Sequence, residues 1–328
     1  MNDRPPETDG LLACPSCRNA GLGPDGDGYI CPSCEERYPV RDGVPVFIRG
    51  ASSVNDADAG RAEFWNSGWE RRNAPLLDLD RDGILEERAR YLDELTKEGY
   101  PSATELSTER LKGKTFLNIG CGGGYEGLLF SGYETNYIGV DFSHNAARYT
   151  RELIEKAGFS GVTYQAEAEN LPFGDASIGF IYSSGVLHHT PNTEEALREL
   201  RRVLKPGGTA MIGLYATNSI MFMWYRLHAI IRGNWTRNAI QDWLNANTEG
   251  EWQTEGRLNH WTATYTKAEF RAILDRAGFS AIRIRQTPVQ IRNLPILGKL
   301  ACCVLPKAVT DLRIGPFGGI LMATCGGE

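Results

Sequence analysis

No stretch of this 328-residue sequence reaches the roughly 18 consecutive apolar side chains that a membrane-crossing helix needs, so no spanning segment is expected. The N-terminus, MNDRPPETDG, has no apolar core behind its charges, which argues against a secretory leader. Positive charge is not in excess either. There are 35 Lys and Arg against 41 Asp and Glu, a formal net charge of −6, which argues against a protein that coats nucleic acid over its whole surface. Core-forming residues are not scarce: 41% of side chains are apolar and 23% charged, so global disorder is not expected. The default expectation is a cytoplasmic chain of two domains, or of one large domain with appendages.

Charge is spread unevenly. Residues 215–328 hold 13 basic and 8 acidic groups, whereas residues 1–50 hold 5 and 8. An ordinary solvated surface accounts for such an imbalance. The alternative is a C-terminal region that meets something acidic: a phosphorylated or carboxylated substrate, RNA or a lipid headgroup.

Four of the eight cysteines form one pattern, Cys14-Pro-Ser-Cys17 and Cys31-Pro-Ser-Cys34, with 13 residues between the pairs. Each pair brings two thiolates onto one tight turn, and two such turns can close a tetrahedral S4 shell suited to zinc. The competing reading, two disulfides, needs an oxidising compartment. The segment after the second pair reads YPVRDGVPVFI, residues 38–48. Residues 10–50 resemble the small zinc ribbon of the Trm112-like family, with Cys14, Cys17, Cys31 and Cys34 at the ligand positions. The resemblance implies a structural Zn2+ and a role in stability or in docking a protein partner. A closed S4 shell has no open position for water, so no chemistry is expected there. Cys121, Cys302, Cys303 and Cys325 are expected to pack in the core.

Residues 114–119, KTFLNI, read as a strand running into Gly120-Cys-Gly122-Gly-Gly124, with helix-like sequence after it. A second strand, NYIGVD, ends in Asp141. An acid placed there can accept both hydroxyls of a ribose, while the glycines let the backbone approach a cofactor closely. NAD and S-adenosylmethionine both suit this description, and Gly122-x-Gly124-x-x-Gly127 even has the dinucleotide spacing.

Later segments separate the two. FLNIGCGGG, GVDFS, AEAENLPF, IYSSGVLHHTPN and ALRELRRVLKPGG follow one another across residues 115–215. In that order they resemble the class I S-adenosylmethionine-dependent methyltransferases, in the group related to ubiquinone and menaquinone methyltransferases. The resemblance implies that Gly120, Gly122 and Gly124 line the methionine end of the cofactor. Asp141 would hold the ribose hydroxyls, with Phe142 beside the adenine. Glu167, where the family usually has Asp, and Ala168 would meet the adenine amino group, and Ser183 would lie beneath the methionine. Asn118 replaces the family's usual acid two residues before Gly120.

The implied architecture is α/β: a doubly wound, mostly parallel seven-stranded Rossmann-like sheet, with a small N-terminal zinc ribbon and a helical insertion. Residues 1–50 would form the ribbon, 51–112 a helical linker or lid, and 113–328 the methyltransferase core. Strands are expected near 115–120, 136–141, 162–167, 178–184, 209–215, 281–287 and 320–325, and helices near 124–131, 143–157, 193–204 and 266–277. Pro206-Gly-Gly208 is expected to end the third of these helices. Phe64, Trp65 and Trp69 would pack near the active site as part of a lid, or simply dock their helix on the core. The aromatic insertion at about 216–265 reads as a substrate wall, an oligomer interface or a membrane-contact surface, and residues 219–231 as an amphipathic helix within it.

Candidate proton acceptors are His188, His189, His260 and Tyr265, with Tyr125 and Glu126 behind them. The expected function is methyl transfer to an O, N or activated C centre of a small hydrophobic or aromatic metabolite. One alternative is an rRNA-type base methyltransferase. Against it stand the −3 balance of residues 1–50 and the lack of an NPPY-type tetrapeptide after the fourth strand. The other is a non-catalytic docking protein. A homo-oligomer is compatible with all three.

Overall fold

In the computed structural model, the described residues are 10–26, 28–48, 64–69, 76–248, 261–294 and 302–327. His260 and the linker at 51–60 lie outside them.

Seven strands form the central sheet: β5 (Thr115–Ile119), β6 (Asn136–Asp141), β7 (Gly161–Gln165), β8 (Ile178–Ser184), β9 (Leu204–Tyr215), β10 (Ser280–Gln286) and β13 (Ile320–Gly326), in the order β10-β13-β9-β8-β5-β6-β7. Pairs from β9 to β7 are parallel, while β13 runs antiparallel to both neighbours. The inner strands are largely apolar because helices cover both faces of a parallel sheet. These helices are α5 (Tyr125–Ser131), α6 (His144–Ala157), α7 (Thr193–Val203) and α10 (Lys267–Arg276). Each sequence expectation for a strand or a covering helix has its counterpart here, which makes the chain a Rossmann-like α/β sheet.

Local chemistry sets the helix ends. Ser143 caps α6 by accepting from the Ala146 N–H, and Gly158 closes it in the left-handed conformation. Asn192 caps α7, which buries Ala196, Leu197, Leu200 and Val203 on the sheet. One expectation is corrected. Pro206-Gly-Gly208 does not end α7; the chain turns extended at Leu204 and enters β9 directly. The triplet lies within β9, where the register against β8 shifts and Gly207 takes φ +71°. It serves as a strand irregularity.

Before the sheet lie α1 (residues 64–69) and α2 (Arg81–Glu98), followed by two short turns, α3 (Pro101–Thr104) and α4 (Thr108–Leu111). The insertion supplies α8 (Ile220–Ile231) and α9 (Arg237–Asn247). A two-stranded ribbon, β11 (Val289–Gln290) with β12 (Arg313–Ile314), precedes β13. Cys121 and Cys325 are buried as expected, but Cys302 and Cys303 are exposed, since their segment lies on the surface.

At the N-terminus, β1 (Gly23–Asp25), β2 (Gly28–Ile30), β3 (Arg37–Arg41) and β4 (Val44–Pro45) form a small antiparallel sheet. It does not stand apart. Val46 pairs in parallel with Gln165 at the free edge of β7, and the Phe47 N–H donates to the Gln165 carbonyl at 2.7 Å. An open edge strand is thereby partly covered. The Phe47 ring is fully buried, 5.4 Å from Tyr29 and Tyr38 and 5.5 Å from Tyr164, so the two sheets share one core.

An ion-pair network ties the same parts together. The buried Glu199 carboxylate on α7 accepts from Arg202 at 2.9 Å, from the Leu171 N–H at 3.2 Å and from Arg18 of the small sheet at 2.5 Å. Burial opposes its ionisation, but Arg202 and Arg18 more than offset this and hold its pKa below the ordinary Glu range. A depressed carboxylate stabilises the fold above its unfolded pKa, and that contribution is lost as pH falls through the folded value. Glu199→Gln should therefore cost about 2 kcal/mol at pH 7, since it takes the carboxylate from Arg18 while Arg202 keeps Asp175 at 2.7 Å, and the deficit should shrink at pH 4. Urea denaturation of both proteins at the two pH values measures this; equal midpoints at pH 7 would contradict it.

Candidate active site

The C-terminal ends of β5, β6 and β8 meet in an open cleft. Ile119 and Gly120 come from β5 and its loop, Val140, Asp141 and Phe142 from β6, and Ala166, Glu167, Ala168 and Glu169 from the turn after β7. Gly185, Val186, His189 and Thr190 follow β8, and Trp65 and Trp69 of α1 close the remaining side.

The glycines differ in what they do. A Cβ at Gly120, where φ is +73°, would lie 2.1 Å from Val186, so only glycine fits there. At Gly122 it would meet the Trp69 ring at 2.7 Å, so the indole rests on this backbone. Gly124 faces α6 instead, where a Cβ would lie 3.1 Å from Leu153 and 3.2 Å from Thr150. Its role is close helix packing, and it does not line the cleft.

Asp141 is the polar centre of the site. Its Oδ2 accepts from the Gly122 N–H at 2.9 Å and its Oδ1 from the Ser143 N–H at 2.8 Å. A carboxylate has about four acceptor positions, so two backbone bonds leave capacity for a ligand's hydroxyls. Burial pushes its pKa up to about 6, against the opposing pull of backbone N–H groups from Ser143, Gly122 and Phe142.

Helix α1 is latched beside it. The Ser143 hydroxyl donates to Asn66 Oδ1 at 2.7 Å, and the Asn145 amide donates to the Asn66 carbonyl at 3.2 Å. The Trp65 ring lies 5.4 Å from that of His189. Phe64 is buried in the fold, while Trp65 and Trp69 line the cleft. Asn66 carried no sequence signal, because its partners lie about 80 positions away.

The tandem histidines diverge. His188 is fully buried, stacks 3.7 Å from the Tyr215 ring, and is held neutral by burial, with His189 adding to the effect. It does not line the cleft. His189 does, and its Nδ1 lies 3.0 Å from the Trp261 carbonyl, an acceptor only. In the neutral ring Nδ1 then carries the proton and Nε2, itself a buried atom, the lone pair. Tyr265 donates its hydroxyl to Thr193 and lies outside the cleft lining. Ser183 is buried in β8, and the Asn118 amide turns inward to donate to the Tyr137 hydroxyl at 3.0 Å. Glu126 accepts from Tyr91 at 2.7 Å and, like Tyr125, does not line the cleft.

In the small sheet, the Sγ atoms of Cys14, Cys17, Cys31 and Cys34 all lie within 4.8 Å of one another. Cys14 to Cys34 is 3.6 Å and Cys17 to Cys31 is 3.5 Å. Both separations are far beyond a disulfide bond of about 2.05 Å. They match the roughly 3.8 Å edge of a tetrahedron with about 2.3 Å metal–sulfur bonds.

Residues 117–212, under a third of the chain, match the family model described as a methyltransferase domain. An uncharacterized methyltransferase of Bacillus subtilis, YcgJ, is 35% identical over 97 residues, covering 29% of this chain and 38% of that protein. A probable tRNA methyltransferase 9B of Bos taurus is 31% identical over 137 residues, 40% of this chain and 28% of its own. A demethylmenaquinone methyltransferase of Listeria welshimeri is 34% identical over 101 residues, 30% of this chain and 43% of its own. The chain thus spans less than half the length of each of these relatives. It carries a methyltransferase domain, built on β5 to β9.

The state of Asp141 should be visible in ligand binding. If its ionised form is the one that accepts ribose hydroxyls, affinity for S-adenosylhomocysteine should fall about tenfold between pH 7 and pH 5, as the pH drops through about 6. Calorimetric titration at both values checks this, and Asp141→Asn should bind weakly with no such dependence. A flat profile in the unsubstituted protein would refute the assignment.

Proposed function

We propose that this chain transfers the methyl group of S-adenosylmethionine to an O, N or activated C centre of a small hydrophobic or aromatic acceptor. One observation carries the choice of methyl donor. The cleft is bordered by three carboxylates, Asp141, Glu167 and Glu169, with no lysine or arginine among its described lining residues. A dinucleotide would bring its pyrophosphate into that field unpaired. A sulfonium is a cation, and both the carboxylates and the two indole faces attract it.

In this reading Gly120 gives the ligand close access to backbone, Asp141 accepts the ribose hydroxyls, and Phe142, Glu167 and Ala168 surround the adenine. When bound, the sulfonium supplies an already activated methyl group. Trp65 and Trp69 exclude water and hold the acceptor in line with it. The acceptor's lone pair forms the new bond to carbon, while the pair of the broken S–C bond stays on sulfur. Where the acceptor atom carries a proton, His189 Nε2 takes it. The apolar character of Ile119, Val140, Phe142 and Val186 supports a hydrophobic acceptor.

The test is methyl incorporation from labelled donor into a panel of quinones, phenols and aromatic amines, with bulk tRNA as a separate arm. Transfer to the small aromatics supports the proposal, and His189→Gln should then lower turnover about a hundredfold while leaving S-adenosylhomocysteine affinity nearly unchanged. Transfer to tRNA alone would overturn the small-acceptor reading.

The cysteine tetrad is proposed to hold a structural Zn2+, which fits its four-sulfur donor set and its spacing. Metal analysis should find about one zinc per chain, lost in Cys17→Ser. Because Phe47 joins this module to the main core, zinc removal should also lower the melting temperature of the whole chain. A chain free of zinc that melts at the same temperature would rule this out.

A further inference from the structure

We propose that α8 and the surface beside it dock this chain onto a membrane that carries anionic lipid. Of the 12 residues in α8, only Phe222 and Ala229 are buried. Met223, Leu227 and Ile231 are spaced by four, so they fall along one line of the helix, and they are 57%, 49% and 67% exposed. Trp235, 76% exposed, extends the line past the helix end. At the other end of the helix Met221 is exposed as well. Single exposed apolar residues are ordinary, but a line of them on one helix marks a contact surface.

Charge identifies the occupant. The sequence has no Asp or Glu between Glu199 and Asp242, and the exposed apolar residues from Met221 to Trp235 fall inside that stretch. Exposed Arg232 accompanies them, with Arg226 and His228 half-buried. An apolar line flanked by cations, with an indole at its end, is complementary to an anionic bilayer surface, where acyl chains lie beneath phosphate. Among the described residues no helix is long and apolar enough to cross a bilayer, so α8 would lie in the plane of the interface. A second copy of this chain is a poorer partner, because a two-fold contact sets the same face against itself and brings Arg226 and Arg232 toward their own copies.

Flotation of the full chain with vesicles tests this. Vesicles of phosphatidylcholine with phosphatidylglycerol should carry the protein, and phosphatidylcholine alone should carry much less, with the difference shrinking as salt rises. The variant M223E/L227E/I231E should lose the bound fraction about tenfold or more, with unchanged circular dichroism and S-adenosylhomocysteine binding. The variant Arg232→Glu should lose much of the preference for anionic vesicles and keep a residual apolar affinity. No flotation with anionic vesicles, or flotation that M223E/L227E/I231E leaves intact, would overturn the proposal. So would a sedimenting dimer that M223E/L227E/I231E splits without any vesicle binding. Flotation needs no methyl donor, so its failure would leave the methyl-transfer reading standing.

Discussion

A buried carboxylate at the end of β6 organises the site. Asp141 ties the glycine loop to the entry of α6 through two backbone N–H bonds, and the side chain of the next-but-one residue, Ser143, in turn holds Asn66 of the aromatic helix. Loop, helix N-terminus and aromatic helix are thus fixed relative to a single side chain. Burying that carboxylate has a cost, visible in its raised pKa. Sites commonly retain such a strained group where a ligand's own donors relieve it, and the hydroxyls of a ribose are donors of that kind.

The small cysteine-bearing sheet serves the same end from farther away. By pairing with Gln165 it covers the free edge of β7, and the turn after β7 supplies Ala166 to Glu169 of the cleft. Phe47 packs on Tyr164 one residue earlier, and Arg18 reaches Glu199 in the layer beneath. The module therefore buttresses the side of the cleft formed by Ala166 to Glu169. Its buried face is occupied by its own chain, so any protein partner would have to meet its outer face.

Much of this was legible in the sequence, for identifiable reasons. Parallel strands buried on both faces are written as short unbroken apolar runs, and a Gly-rich turn between such a run and a helix has few other uses. Pro206-Gly-Gly208 misled because the same residues that stop a helix also make an irregular strand. His188 and His189 could not be told apart, since adjacent residues in a tight turn point in different directions and only the packing of Tyr215 decides which one is buried. Gly124 follows the expected pattern yet faces α6, because its spacing serves helix packing as well as ligand access. The Arg18–Glu199 pair and the Asn66 latch join residues remote in sequence and leave no local trace.

The distribution of charge gives these parts a direction. Carboxylates cluster around the cleft, while the longest acid-free stretches lie in α8, its flanks and the segment before β13. A cationic methyl donor is drawn to the first region, and methyl transfer turns it into a neutral thioether that the same carboxylates and indoles hold less strongly. Binding and release then differ by the charge the reaction removes, with no conformational device needed to tell substrate from product. The proposed acceptor is apolar, and the proposed docking helix is apolar and cationic with no acid of its own. Carboxylates on α8 would repel that bilayer, and cations in the cleft would repel the donor; each region lacks the charge that would defeat it.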